Sequence, residues 1–427
     1  MGDWRLGVAA GALAVLSATG QAIAQPQGQS EPTDYFRRDR NTSVSDRQKQ
    51  RSEDLGWRAG GFWIKPQLLL AAGYNDNIAA SETNTEANTV YQAELEVDIE
   101  SDWGRHELHG SIDVPSVNYT SDFAATDFLV NVGGRYDIDR GLSLVGGLNY
   151  GHRIEPYSNL PSGVQLREPI DYDEAGAYVG FTQVFNRLRF AGRADVFDTN
   201  FHDGEFTTGL PFEVDDRDVR EISYGLRADY AVTELTSLFL SATANERDHD
   251  LDPPAVLLNK DTEGFEVLAG VNFDLTHLMR GEVGIGYFSQ SFVTPGLEDQ
   301  TGMAARGQVE WFPDELVTVT FGAERSVEDA FAPGARTLVA NDYNVAVAYE
   351  LRRNLILSLS TGYSFDDYGE IDRQDRRWNA FGGADYEINR NVSLTLSVGH
   401  QEQESEGLDL GRNYDVNVAY VGVRLRR

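Results

Sequence analysis

Charged side chains recur at every second position along this chain, and that spacing bounds the chemistry they can do. Glu94, Glu96 and Asp98 alternate with Ala93, Leu95 and Val97, so three carboxylates line one face of an extended segment. The same alternation puts Arg135 with Asp137, Arg193 with Asp195, and Arg227 with Asp229 on one face of their own segments. Asp274, Arg306, Glu310, Glu324, Asp385 and Glu387 occupy equivalent positions. Two descriptions fit such rows. One is a polar conduit with an acidic bias, favouring cations or neutral hydroxyl-rich solutes. The other is the polar interior required of any barrel too wide to fill with side chains, in which Arg and Asp at i, i+2 neutralise each other.

Catalytic and metal chemistry find little support. The seven histidines are scattered, and His106 and His109, three apart on one extended segment, point to opposite faces. The acidic segments at 214–218 (VDDRD) and 246–252 (ERDHDLD) carry carboxylates for Ca²⁺ but lack the glycine spacing of a calcium loop. Asn75-Asp76-Asn77 reads as a turn entry before it reads as a ligand set. No Ser, His and Asp can be assembled into a triad, so the expectation is a non-enzyme without cofactor or metal.

The elements that hold these rows are strands. Leu355, Leu357, Leu359, Thr361, Tyr363 and Phe365 fall on one face of residues 355–365, against Ile356, Ser358, Ser360, Gly362 and Ser364 on the other. Residues 91–99 and 392–398 repeat the pattern. Counting such segments predicts about eighteen strands, each with its connection taking about 20 residues. Their centres fall near Leu69, Leu95, Ile112, Val132, Leu148, Val179, Ala194, Leu226, Leu240, Ala269, Ile285, Gly307, Val319, Val347, Leu359, Gly382, Leu396 and Ala419. Connections alternate between short (102–105, 139–141, 186–187, 313–315, 352–354, 389–391) and long (79–88, 155–170, 202–216, 250–260, 329–336). That is the pattern of periplasmic turns and extracellular loops. An even count leaves the first and last strands opening on the periplasmic side. Pro66 and Pro115 lie inside predicted strands, where each removes a ladder donor and predicts a bulge or a strand end. Aromatic residues gather towards strand ends, among them Trp57, Phe62, Trp63, Tyr74, Tyr136, Trp311, Phe312 and Trp378, as in the girdles of a membrane barrel.

Composition agrees. The chain has 427 residues, 41% of them hydrophobic, a mean hydropathy of −0.40 and no cysteine. No internal apolar stretch is long enough for a membrane helix, whereas barrel strands show lipid only every second residue. The net charge of −32 argues against nucleic acid as a partner. Without cysteine there is no disulfide framework and no lipid-modified N-terminal Cys. Residues 1–24 read as an export signal, with Arg5, an apolar core at 6–16 and the small-residue site Ala22-Ile23-Ala24. Residues 25–61 form a polar leader with no strand period. It is either disordered in the periplasm, or folded back into the lumen or onto a periplasmic partner. Residues 62–427 are the barrel, and Phe62 opens a first strand that must pair with the last one.

Residues 41–78, NTSVSDRQKQRSEDLGWRAGGFWIKPQLLLAAGYNDNI, resemble the opening of the β-barrel porin 2 outer-membrane proteins. That family shows a polar leader, an LG-x-R-x-G-x-F element, a Pro in the first strand and a Y-[DN]-[DS]-N-[IV] turn entry. The matching positions are Leu55-Gly56, Arg58, Gly60 or Gly61, Phe62, Pro66 and Tyr74-Asn75-Asp76-Asn77-Ile78. The resemblance implies an outer-membrane barrel of a Gram-negative envelope, with some members encoded among genes for exopolysaccharide synthesis and export. Its partners would be outer-membrane lipid, the assembly machinery that inserts barrels, polysaccharide and periplasmic export proteins. Such barrels usually end on an aromatic residue, and this chain ends Val423-Arg424-Leu425-Arg426-Arg427. The functions in play are therefore a porin-like channel for exopolysaccharide or other polar solutes, and a non-conducting structural or docking barrel.

Overall fold

Strict two-residue periodicity leaves each strand with one apolar and one polar face, and an open sheet this wide would expose two long edges. Closure removes them. In the computed structural model, which describes residues 42–427 apart from 53–54, 84, 121–123, 156–165, 251–259, 276–277, 295–298, 331, 333 and 410, the described residues form eighteen long antiparallel strands. In chain order they are β1 (Phe62–Asn75), β2 (Asn88–Ser101), β3 (Glu107–Tyr119), β4 (Phe128–Asp137), β5 (Leu142–Ile154) and β6 (Asp171–Phe185). Then come β7 (Leu188–Phe201), β8 (Val219–Ala231), β9 (Thr236–His249), β10 (Thr262–Leu275), β11 (Met279–Phe292) and β12 (Gln300–Asp314). The last six are β13 (Val317–Asp329), β14 (Thr337–Arg352), β15 (Leu355–Tyr368), β16 (Arg373–Asn389), β17 (Val392–Gly407) and β18 (Tyr414–Arg426). Each pairs with its neighbours in sequence, and β1 pairs with β18 from Gln67↔Arg426 to Asn75↔Val418, which closes the barrel. The eighteen expected centres fall one to a strand.

Short turns join β2 to β3, β4 to β5, β6 to β7 and so on, and the longer connections lie at the opposite end. The turn between β6 and β7 has two residues, with Asn186 at φ 52, a left-handed conformation that asparagine tolerates. Both prolines sit where the ladder can spare a donor. The Pro66 carbonyl accepts from the Arg427 amide at the end of the β1–β18 ladder, and β1 runs through Pro66 in unbroken register with β2 (Pro66↔Val97), so the bulge or strand end expected there is absent. Pro115 breaks the ladder on one side of β3 only: pairing with β2 runs on through Glu94↔Pro115, while pairing with β4 stops at Asp113↔Leu129 and resumes at Ser116↔Thr126 with the short strand Ala124–Thr126.

The outward face carries the apolar row. Leu70, Leu95, Leu148, Val179, Leu226, Ile285, Leu359 and Val421 are all exposed on the isolated chain, as lipid-facing residues must be. Exposed rings flank the row at both ends, Tyr136, Tyr230, Trp311, Tyr349 and Tyr386 towards the short turns and Tyr74, Tyr150, Tyr363 and Trp378 towards the long loops. Two of the expected girdle residues face the other way. Trp63 lies opposite inward-facing Glu100, and Phe312 is buried beside Arg280. Ending a strand is not enough to place a ring in the girdle; parity decides.

Of the segment before the barrel, residues 1–41 lie outside the described residues, including the expected export signal. The part that is described contains a helix, α1 (Val44–Ser52). Its start is a capping box: Ser43 Oγ accepts from the Asp46 amide (3.0 Å), and the Ser43 amide donates to Asp46 Oδ2 (3.2 Å). After α1, the strand Trp57–Ala59 folds onto β1 through the two-residue turn Gly60-Gly61, with Gly60 at φ +62. Gly56, at φ +140, brings its α-carbon so close to the Ile64 carbonyl that a Cβ would stand 2.8 Å from that oxygen.

Candidate functional site

Register decides what each charged side chain meets across the inner face. On β2, Glu94, Glu96 and Asp98 share one face with Leu69, Gln67 and Lys65 of β1 and with Pro115, Asp113 and Ser111 of β3. Glu96 is directly opposite Asp113, which is buried. Gln67 donates to Glu96, and Lys65 Nζ lies 2.5 Å from Glu100. Four carboxylates therefore occupy adjacent inward positions on two neighbouring strands.

Many of the remaining inward charges form arginine–carboxylate pairs. Three are Arg-x-Asp pairs within a strand: Arg135–Asp137 at 3.2 Å, Arg193–Asp195 at 2.7 Å and Arg227–Asp229 at 2.8 Å. Arg135 also reaches Glu107 on β3 (3.3 Å), and the Arg193 guanidinium stacks on Tyr178 at 3.8 Å. Arg227 bonds Glu282 (2.5 Å) across the inner face, and its guanidinium lies 4.1 Å over the Phe239 ring. Arg306 joins Glu324 at 2.7 Å with Glu266 at 4.0 Å. Glu310 bonds Arg280, which also reaches Asp46 of α1 at 3.3 Å. Asp385 pairs with Arg424 on β18 at 3.3 Å, and Arg426 lies within electrostatic reach of Asp385, Glu387 and Glu96. Arg135, Arg193 and Arg227 thus each bind at least one carboxylate.

Further inward pairs are Arg153–Glu174, Arg247–Glu221, Arg373–Asp375 and Arg377–Asp366. Arg373–Asp375 had the same i, i+2 signal as the pairs found. The other three join different strands, and only the register reveals them.

The segment 75–77 is structural. Asn75 Oδ1 accepts from the Asn77 amide, and the Asp76 carboxylate accepts from the Asn417 amide and side chain (2.7 and 2.8 Å). Asn77 Nδ2 donates to the carbonyls of Ser81 and Asp415. Together these bonds stitch β1 to β18 at the loop end of the closing seam. Tyr74 faces outward, Arg58 pairs with Asp102, and Phe62 packs edge-on against Trp103 at 5.4 Å.

Outside the membrane-spanning strands, charge is equally well placed. His202 Nδ1 lies 2.7 Å from Asp171, and that hydrogen bond raises the imidazole pKa above its ordinary 6.5. In the turn after β4, the Asp139 carboxylate accepts from the Gly141 and Leu142 amides (2.7 and 2.9 Å), which lowers its pKa. His106 accepts from the Asp137 amide and stacks on Tyr136, so it is a turn residue, while His109 faces inward near Glu107. Among the described residues no group of three or more His, Asp or Glu stands in metal-holding geometry. In the acidic loop segments, Asp216 binds Lys260 and Asp218 binds the Phe201 amide; residues 251–252 lie outside the described residues.

A family model described as "Putative beta-barrel porin 2" matches residues 52–427. The chain belongs to that family. This porin-family barrel resides in the outer membrane, where its apolar belt meets lipid. Among solved structures it resembles the siderophore receptor PiuA from Acinetobacter baumannii, at 8% identity and TM-score 0.50, over 88% of this chain and 82% of that one. A mutant of the ferric enterobactin receptor PfeA from Pseudomonas aeruginosa, in complex with enterobactin, matches at 7% identity and TM-score 0.49, over 85% and 81%. The copper transporter OprC matches at 10% identity and TM-score 0.48, over 87% and 81%. At these identities the likeness concerns the fold alone. No curated protein matches the sequence.

Proposed function

We propose that this barrel is a channel for polar solutes with a preference for cationic or hydroxyl-rich ones, and that it is not an enzyme. The observation that carries the reading is the inward row Glu94, Glu96 and Asp98 with Asp113 opposite Glu96. Like charges this close stay ionised when water screens them, and they then concentrate cations along that wall. Carboxylates on β2 and β3 would then bias the field along that side of the lumen towards cations. The fourteen residues Glu94, Glu96, Asp98, Arg135, Asp137, Arg193, Asp195, Arg227, Asp229, Arg306, Glu310, Glu324, Asp385 and Glu387 would line the path.

The second reading is a closed docking barrel, favoured by the helix lodged inside its short-turn end. Conductance of the purified protein in planar bilayers separates the two, since a closed barrel passes no current. Exopolysaccharide as cargo draws only on the resemblance of residues 41–78. It would add polysaccharide and periplasmic export proteins as partners, after insertion by the barrel-assembly machinery. Uptake of neutral oligosaccharides of graded size into proteoliposomes tests it, and exclusion of all but monosaccharides would contradict it.

A further inference from the structure

Helix α1 has nine residues, fewer than an isolated helix needs to persist in water, so the barrel must hold it. Its grip is almost wholly polar. Val44 is its one buried apolar residue, and the Val44 amide donates to Thr318 Oγ1 at 3.0 Å. Arg47 Nε binds Glu350 Oε2 at 3.0 Å, and Arg51 Nη1 lies 3.4 Å from Glu350 Oε1 and donates to the Arg353 carbonyl. Asp46 pairs with Arg280. Every one of these wall positions is at the short-turn end, spread over β11, β13, β14 and the turn after β14. The helix thus lies against one arc of the wall at the periplasmic mouth.

Two further features separate α1 from a fixed part of the wall. The sheet closes through β1 and β18 without it. Glu350, itself buried, has both carboxylate oxygens on helix arginines, unlike the inward acids that pair with strand arginines.

We propose that α1 is a gate: it narrows the periplasmic mouth while Arg47 and Arg51 hold Glu350, and it opens the mouth by leaving. Its departure strips Glu350 of its cations and adds one more carboxylate to the acidic lining. This inference rests on the channel reading above, and its test reports on each separately.

The chain has no cysteine, so Gln48, buried within α1, can be changed to Cys as a single maleimide target. Charge-assisted hydrogen bonds at a half-buried site predict that Arg47→Gln with Arg51→Gln speeds labelling on the order of tenfold, and Glu350→Gln similarly. Open probability in planar bilayers should rise in parallel. The exchange of charges, Glu350→Arg with Arg47→Glu and Arg51→Glu, should restore slow labelling and low open probability. The helix double variant leaves the strands untouched, so misfolding of the barrel does not confound it. Labelling rates equal in all variants overturn the gate, as does faster labelling with the current of the unmodified protein. Faster labelling with no current from any variant removes the channel reading, and the gate with it.

Discussion

A single pair of neighbouring substitutions on β15 tests the assignment of faces. Leu359 points outward, paired with Val347 on β14 and Gly382 on β16, and 57% of it is exposed on the isolated chain. It sits near the middle of its strand, so Leu359→Arg places a guanidinium against the bilayer midplane. Such a charge costs about 2–4 kcal/mol, roughly 30- to 1,000-fold in the folding equilibrium at about 1.4 kcal/mol per decade. Ser358, one residue earlier, faces inward between Ala348 and Gly383, two of the smallest neighbours available. Ser358→Arg therefore meets space and polar company, and should fold as the parent does. The assay is refolding from urea into lipid vesicles, read by the gel shift between folded and boiled barrel. Equal refolding of the two variants would show that the register of β15 is wrong.

Removing Arg227 strands two buried carboxylates, Asp229 and Glu282, so Arg227→Gln should destabilise the barrel by about 3–5 kcal/mol, and adding Asp229→Asn should recover part of the loss in denaturant midpoint. Asp139 has a lowered pKa, so its contribution is complete above the ordinary carboxylate value of 3.8 and vanishes as pH falls through the folded value. Asp139→Asn and the parent should differ in stability at pH 6 and converge once the pH is below the folded value. His202 has a raised pKa, so its pairing with Asp171 is fully present below 6.5 and is lost as pH rises through the folded value. His202→Gln should accelerate amide exchange around residues 202–218 at pH 6 and leave it unchanged once the pH is above the folded value.

The barrel was legible because burial on one face only imposes a strict period of two, and the run 355–365 displays it without a break. The inward parity of charges such as Glu94 and Arg193 follows from the same rule. What each charge meets does not, because partners such as Glu282 for Arg227 depend on a register set by turns and bulges between distant residues. The rings of Trp63 and Phe312 mislead for a related reason: their positions at strand ends suit a girdle, but their parity turns them inward. Helix α1 left the faintest trace. It is too short and too polar to show an amphipathic period, and its partners Glu350 and Thr318 are far away in sequence. Ser43-Val44-Ser45-Asp46 was its one local signal, a capping box with Asp in place of the usual Glu. The seam residues Asp76 and Asn77 were readable as a turn entry, but their bonds to Asn417 and Asp415 required the closed ring.

In the proposed channel, polar solutes pass a lumen whose field the carboxylates on β2 bias. The most direct measurement is the reversal potential of single channels in a salt gradient, for the parent and for Glu94→Gln, Glu96→Gln, Asp98→Asn combined. The parent should show a cation-selective potential that moves towards zero in the triple variant, with assembly intact. A conducting variant with an unchanged potential would contradict the acidic row's place on the path, and a parent that never conducts would contradict the channel itself.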